Sequence, residues 1–207
     1  MSLSDRKNHW EKIYNTKALE EVSWYQPTPE TSLAFIKEFN VSKTAKIIDI
    51  GGGDSFFVDH LLDLGYQDIT VLDISETALS KAKQRLGEKS NRVKWIVEDA
   101  STFKPTEQYD FWHDRAAFHF LTEDNEIESY IDTVKQNIKP TGILVIGSFS
   151  EQGPIKCSGI EIKQYSESSL ESRFKEHFNK IECFTVDHRT PFNTNQNFVF
   201  CSFRRKR

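Results

Sequence analysis

The stretch that most constrains this chain is Lys46-Ile47-Ile48-Asp49-Ile50 followed by Gly51-Gly52-Gly53-Asp54-Ser55-Phe56-Phe57. An apolar run ends in an acid, passes through glycines and enters an amphipathic run. That pattern predicts a buried parallel strand, a tight turn and a helix start. Glycines let backbone approach a ligand closely, and the first turn of a helix offers free N–H groups. The stretch therefore points to a ligand site for a nucleotide or a relative of one. A dinucleotide fingerprint, G-x-G-x-x-G, is met at Gly51 and Gly53, but its third position is Phe56.

The rest of the chain repeats the strand–helix theme. A helix is expected over 5–14, with Trp10, Ile13 and Tyr14 on one side, and a loop over 23–27. Thr28 is expected to cap a helix reaching about Asn40, with Pro29 at its first position. Strands are expected over 46–50, 69–73, 93–97, 109–113 and 143–148. Helices are expected over 55–64, from Ser75 toward Gly87, from a Thr122 cap to before Pro140, and over 166–178. Strands alternating with helices imply a doubly wound, mostly parallel sheet. The last two strands, 180–187 and 198–203, have no helix between them, so they are expected to be antiparallel neighbours.

Composition excludes several classes. The chain has 207 residues, enough for a single α/β domain over 1–207 with one core. Its net charge of −4 gives no support for phosphate-backbone binding, and the basic run from Arg204 to Arg207 reads as a solvated tail. No apolar run approaches the roughly 20 residues that span a membrane. The N-terminus is charged from Asp5 onward, so no signal peptide is expected. Cys157, Cys183 and Cys201 are scattered with no C-x-x-C, which suggests a reducing compartment and no disulfide framework. These features predict a soluble, cytoplasmic protein.

Asp73 ends the second expected strand, where an adenosine ribose needs an acceptor for its hydroxyls; Ser75 is left to cap the helix. The fourth strand runs into Trp112-His113-Asp114-Arg115-Ala116-Ala117-Phe118-His119. Asp114 and Arg115 are candidates for a local ion pair, and His113 or His119 for a base or a substrate-orienting group. Arg115 is also placed to face an acidic substrate. Topology brings His119, Cys157, His188 and Gln196 to one edge of the sheet, as the rim of a ligand crevice. A Cys157 thiolate would suit a soft metal with His188 or His119, or a direct substrate contact. A small buried loop residue is the plainer reading, and no ligand-spaced motif indicates a metal.

Asp49, Gly51 and Gly53 match an acid followed by G-x-G-x-G, with Ser55 in the place of the last glycine. That stretch resembles motif I of class I S-adenosylmethionine (SAM) methyltransferases. His9-Trp10-Glu11-Lys12-Ile13-Tyr14, Ser23-Trp24-Tyr25-Gln26, Trp112-His113-Asp114-Arg115, Cys157-Ser158-Gly159 and His188 with Thr190-Pro191 resemble a bacterial subgroup of that family. The resemblance implies a Rossmann-like, doubly wound, seven-stranded α/β sheet with its last strand antiparallel. It also implies cap helices over 1–40 on a cofactor-binding core over 41–207. S-adenosyl-L-methionine is the cofactor implied. Its implied contacts are Asp49, Gly51, Gly52, Gly53, Ser55, Asp73, Ile74, Asp114, and Asp99-Ala100 beside the adenine, with Trp24 and Tyr25 from the capping segment. Methyl transfer needs alignment rather than a covalent nucleophile.

The function expected is SAM-dependent methyl transfer to a small-molecule or protein side-chain acceptor. Arg115, His119 and His188 are the candidate catalytic groups, and Cys157 and Gln196 the candidate substrate-pocket residues. No nucleic-acid or membrane partner and no metal is expected. Two alternatives stay open: a non-catalytic SAM-binding module, and a nicotinamide-dependent oxidoreductase, against which Phe56 and the reversed last strand argue.

Overall fold

The computed structural model describes residues 3–206. In order, the elements are helix α1 (Leu3–Thr16), helix α2 (Glu30–Glu38), strand β1 (Lys46–Ile50), α3 (Phe57–Asp63), β2 (Asp68–Asp73), α4 (Glu76–Leu86), β3 (Val93–Val97) and β4 (Tyr109–Arg115). They continue as α5 (Asp124–Asn137), β5 (Ile138–Phe149), β6 (Lys156–Cys157), β7 (Ile160–Glu161), α6 (Glu167–Phe174), β8 (Phe178–Arg189) and β9 (Asn195–Arg205). Among the described residues, seven strands form one sheet in the order β3-β2-β1-β4-β5-β9-β8. β9 pairs antiparallel with both β5 and β8, and β1 to β5 pair parallel. This is the Rossmann-like arrangement of the methyltransferase fold, with one reversed strand.

The central strands read as continuous apolar runs because both faces of the sheet are covered. Alternate residues serve the two faces. Ile48, Trp112, Leu144 and Ile146 join Tyr130 and Phe174 in one core. Ile47, Phe111, Ile143 and Val145 join Phe35, Phe57 and Leu61 in the other. The sheet is thus held in the middle, and its strand ends are left to build a site. α1 packs across α4 through Trp10, Tyr14 and Ala78, above the ends of β1 and β2.

Several boundaries differ from expectation. Thr28 does not cap α2: Pro29 holds the cap position, and the Glu30 N–H donates to the Thr28 carbonyl. Thr122 does not cap α5; Glu123 does, through its backbone, and an acidic first turn suits the positive end of the helix. β8 and β9 extend through His188 and Gln196, which are paired in register instead of lying in loops. Arg204 and Arg205 belong to β9, with Arg205 Nη1 donating to the Ile138 carbonyl at 2.8 Å. Hence the first half of the basic run is strand rather than tail; Arg207 lies outside the described residues. Cys183 and Cys201 are disulfide-bonded, contrary to the expectation from their scatter. They stand directly opposite each other across β8 and β9, a relation set by register and invisible in sequence spacing.

Candidate functional site

The site begins at the turn after β1. Gly51 and Gly53 adopt φ of +65° and +49°, a region that glycine enters without a Cβ penalty. A Cβ on Gly51 would lie 2.6 Å from Ala117 Cβ, and one on Gly53 would lie 2.6 Å from the Tyr14 hydroxyl. The glycines thus make room for protein on both sides, as well as for a ligand. Gly51, Gly52 and Ser55 border a crevice that runs along the ends of β1, β2 and β3. Gly53 does not border the crevice, and the Tyr14 hydroxyl lies against it.

Asp73 and Ile74 border the crevice at the end of β2, and Asp99 and Ala100 at the end of β3. Asp73 is buried; its Oδ1 accepts the Ser75 N–H at 2.8 Å, while the Ser75 hydroxyl caps α4. Burial, with Asp49 nearby, pushes the Asp73 carboxyl up to about 7. Asp99 is held by Arg6 Nη1 at 3.1 Å and by the Ser101 N–H and hydroxyl. Arg6 also reaches Glu126 at 2.5 Å. Nothing in the local sequence marks Arg6, whose partners are brought to it only by the fold. Tyr14 joins the crevice wall from the packed side of α1.

Asp49 faces His113. The His113 Nδ1 donates to Asp49 Oδ1 at 2.7 Å, and its Nε2 meets the Ser32 hydroxyl at 2.9 Å. All three are buried at the crevice wall, so α2 is tied to the glycine turn through a histidine. A carboxylate only accepts, which places the Nδ1 proton between these residues.

Asp114 is not a cofactor contact. It is fully buried away from the crevice, where Oδ1 accepts the N–H groups of Ala117 and Phe118 and Oδ2 accepts the Tyr130 hydroxyl at 2.7 Å. Nor does it pair with Arg115, because alternate strand residues face opposite sides of the sheet. Asp114 instead builds the turn in which Ala116 takes a φ of +69°. That turn sends Arg115 into the crevice. Arg115 Nη1 makes a 3.4 Å contact to the Trp24 carbonyl, its guanidinium lies 4.9 Å over the Phe198 ring, and its Nη2 is buried with no partner. Burial lowers the Arg115 pKa to about 10.

Trp24, Tyr25, Phe149, Phe198 and Cys157 complete this end of the crevice. Cys157 lies in a two-residue hairpin whose turn, Ser158-Gly159, has positive φ at both positions. The Ser-Gly pair was the available sign of that turn. Burial pushes the Cys157 thiol up to about 12, so it is a neutral wall group.

Three expected rim residues point elsewhere. His119 is fully buried off the crevice, its Nδ1 accepting the Phe149 N–H at 3.3 Å, and burial beside Arg115 lowers its pKa to about 3. It sits in a short 3-10 turn over Phe118–Phe120, which rotates it inward. His188 donates from Nε2 to the Ser23 carbonyl at 2.7 Å and receives Gln26 Nε2 at 3.2 Å. It pins the capping loop to the sheet and does not border the crevice. Gln196 does not border the crevice, and its Oε1 is buried without a partner. Neither histidine joins Cys157 to make a metal site.

The resulting site is one crevice with two ends. One end offers buried acids and small or apolar residues, which suits a nucleoside. The other is aromatic, with one cation. Comparison with known proteins agrees with this geometry. A family model described as a methyltransferase domain matches residues 47–142. The "eEF1A lysine and N-terminal methyltransferase" of Bos taurus is 25% identical over 142 residues, 68% of this chain and 20% of that protein. The "Malonyl-[acyl-carrier protein] O-methyltransferase 2" of Ilyobacter polytropus is 27% identical over 106 residues, 51% of this chain and 39% of that protein. The chain therefore spans well under half the length of these curated relatives. Among solved structures, the N-methyltransferase NodS from Bradyrhizobium japonicum with S-adenosyl-L-homocysteine superposes with a TM-score of 0.73 at 16% identity, covering 95% of this chain and 98% of that one. The 1,6-didemethyltoxoflavin-N1-methyltransferase of Burkholderia thailandensis gives 0.72 at 17% identity, covering 99% and 87%.

Proposed function

We propose that the chain is a class I SAM-dependent methyltransferase that moves a methyl group from SAM to a small-molecule or protein side-chain acceptor. The observation that carries the proposal is the continuity of the crevice from Asp73 and Asp99 to Arg115 and Cys157. The residues present fit the cofactor. The glycine turn leaves no space for side chains, and Asp73 offers a buried carboxyl oxygen to ribose hydroxyls. Ile74 and Ala100 supply apolar flanks for a base.

When bound, the cofactor supplies a methyl group already activated on a sulfonium. The protein's task is alignment and exclusion of water, which can contribute about 7–11 kcal/mol. Trp24 and Tyr25 shield the crevice from the capping side, and Arg115, Phe149 and Phe198 shape the acceptor end. In this proposal residues 1–40 form the cap and 41–207 the cofactor-binding core. The relatives named above act on lysine and N-terminal groups, a malonyl carrier and a small heterocycle, so they leave the acceptor class open. A cytoplasmic location belongs to the same proposal and rests on the cofactor. The Cys183–Cys201 link argues the other way, since disulfides are rare in reducing compartments. Fractionation of cells that produce the protein decides it.

The test is methyl transfer from isotopically labelled SAM to a panel of amines, thiols, carboxylates and peptides. Label on a defined acceptor supports the proposal. Binding of SAM with no transfer to any class would favour a non-catalytic module.

A further inference from the structure

The acceptor end of the crevice carries a guanidinium, Arg115, whose Nη2 is buried and has no hydrogen-bond partner. The acids along the crevice wall are engaged elsewhere: Asp49 by His113, Asp54 by Arg85 and Asp99 by Arg6. Asp73 and Glu98 lie at the nucleoside end. Arg6, the other arginine of the wall, is satisfied by Asp99 and Glu126. Arg115 has only a long contact to a carbonyl, a ring beneath it and a buried Nη2 with nothing to donate to. Burial keeps its neighbours Cys157, His119 and His188 neutral, and Asp49, which attracts it, is hydrogen-bonded to His113 and makes no ion pair with it. An unpaired buried charge is costly, and a guanidinium is shaped to hold a carboxylate through parallel N–H donors.

We propose that the methyl acceptor is a small organic anion whose carboxylate is received by Arg115, with its apolar body against Phe149, Phe198 and Trp24. This rests on the methyltransferase proposal and narrows its acceptor to an anion. It disfavours a cationic lysine side chain, which Arg115 would repel. Arg115 borders the crevice with the Phe198 ring against its guanidinium, and its buried Nη2 has no protein partner.

Calorimetry on the full chain saturated with S-adenosyl-L-homocysteine tests it, with phenylacetate and the neutral phenylacetamide as probes. Wild type should bind phenylacetate at least about tenfold more tightly, the scale of a hydrogen bond to a charged group. Arg115→Met should lose that preference, and Arg115→Lys should keep part of it, while both still bind S-adenosyl-L-homocysteine. That binding also shows that each variant is folded. Equal binding of the two probes, no binding of either, or a preference that survives Arg115→Met overturns the inference while leaving the cofactor site standing. Failure of wild type to bind S-adenosyl-L-homocysteine overturns the methyltransferase proposal as well.

Discussion

Arg6 Nη1 lies 3.1 Å from Asp99 Oδ2, which joins the first helix to the acid at the end of β3. The link makes the cofactor end of the crevice depend on α1. Removing the cation leaves Asp99 and Glu126 without their partner. Asp99 keeps its Ser101 hydrogen bonds and α1 can lift to admit water, which limits the loss. Arg6→Met is expected to cost roughly 1–3 kcal/mol in urea denaturation and to open α1 to proteolysis. An unchanged midpoint together with an unchanged cleavage pattern would show that α1 docks by its aromatic face alone.

Asp73 gives the protein a pH dependence with a definite sign. Its folded value of about 7 lies above the ordinary 3.8, so between these the folded chain holds a proton that the unfolded chain has released. The contribution of Asp73 to stability therefore falls as pH rises from about 4 to about 7 and levels off above that, against an opposite contribution from the buried neutral His119 and His188. Asp114, pushed up to about 6 by burial, adds to the same trend. Asp73→Asn should flatten part of the slope, measured as urea midpoints at pH 5, 6 and 8. Ribose hydroxyls favour the ionised carboxylate, so cofactor binding at pH 6.5 should release protons, seen as a buffer-dependent binding enthalpy. A midpoint difference between wild type and Asp73→Asn that does not change between pH 5 and pH 8 would contradict the burial argument.

The cofactor end was legible because its residues sit at successive strand ends, where topology alone sets their place. Asp49, Gly51, Asp73 and Asp99 follow from strand boundaries, because the apolar runs 46–50 and 93–97 coincide with β1 and β3. The acceptor end was not legible in the same way. Topology brought Arg115, His119, Cys157 and His188 to one edge, but not the direction of their side chains. A 3-10 turn rotated His119 inward, and continued pairing with Gln196 drew His188 into the sheet. Asp114 misled because a buried acid that builds a turn has the same local sequence as one that meets a ligand. Arg6 carries no local signal, since both of its partners are remote in sequence.

Tyr14 and Gly53 are expected to be coupled. A Cβ at position 53 would meet the Tyr14 hydroxyl at 2.6 Å, and the φ of +49° adds strain of about 1–2 kcal/mol. Gly53→Ala should therefore destabilise the chain and weaken SAM binding, and Gly53→Val should do so more severely. Tyr14→Phe removes the obstructing oxygen and should restore part of the loss in Gly53→Ala. A strictly additive double-mutant cycle would place Tyr14 elsewhere.

His188 should behave as a pin. It holds the Ser23 carbonyl and Gln26, and burial lowers its pKa, so it stays neutral at physiological pH. His188→Leu is expected to cost about 1–3 kcal/mol and to raise KM through the loosened Trp24-Tyr25 loop. The shape of the pH–rate profile above pH 6 should not change. Loss of a basic limb from that profile would restore His188 to a catalytic role.

The central claim is that the glycine turn, Asp73 and Asp99 form a SAM site rather than a dinucleotide site. Isothermal calorimetry of the purified chain with SAM, S-adenosyl-L-homocysteine and NAD tests it most directly. The account predicts saturable 1:1 binding of SAM and S-adenosyl-L-homocysteine, weakened by roughly 1.5–3 kcal/mol in Asp73→Ala, and far weaker binding of NAD. NAD binding as tightly as SAM, or no binding of either sulfur compound by the folded protein, would contradict it.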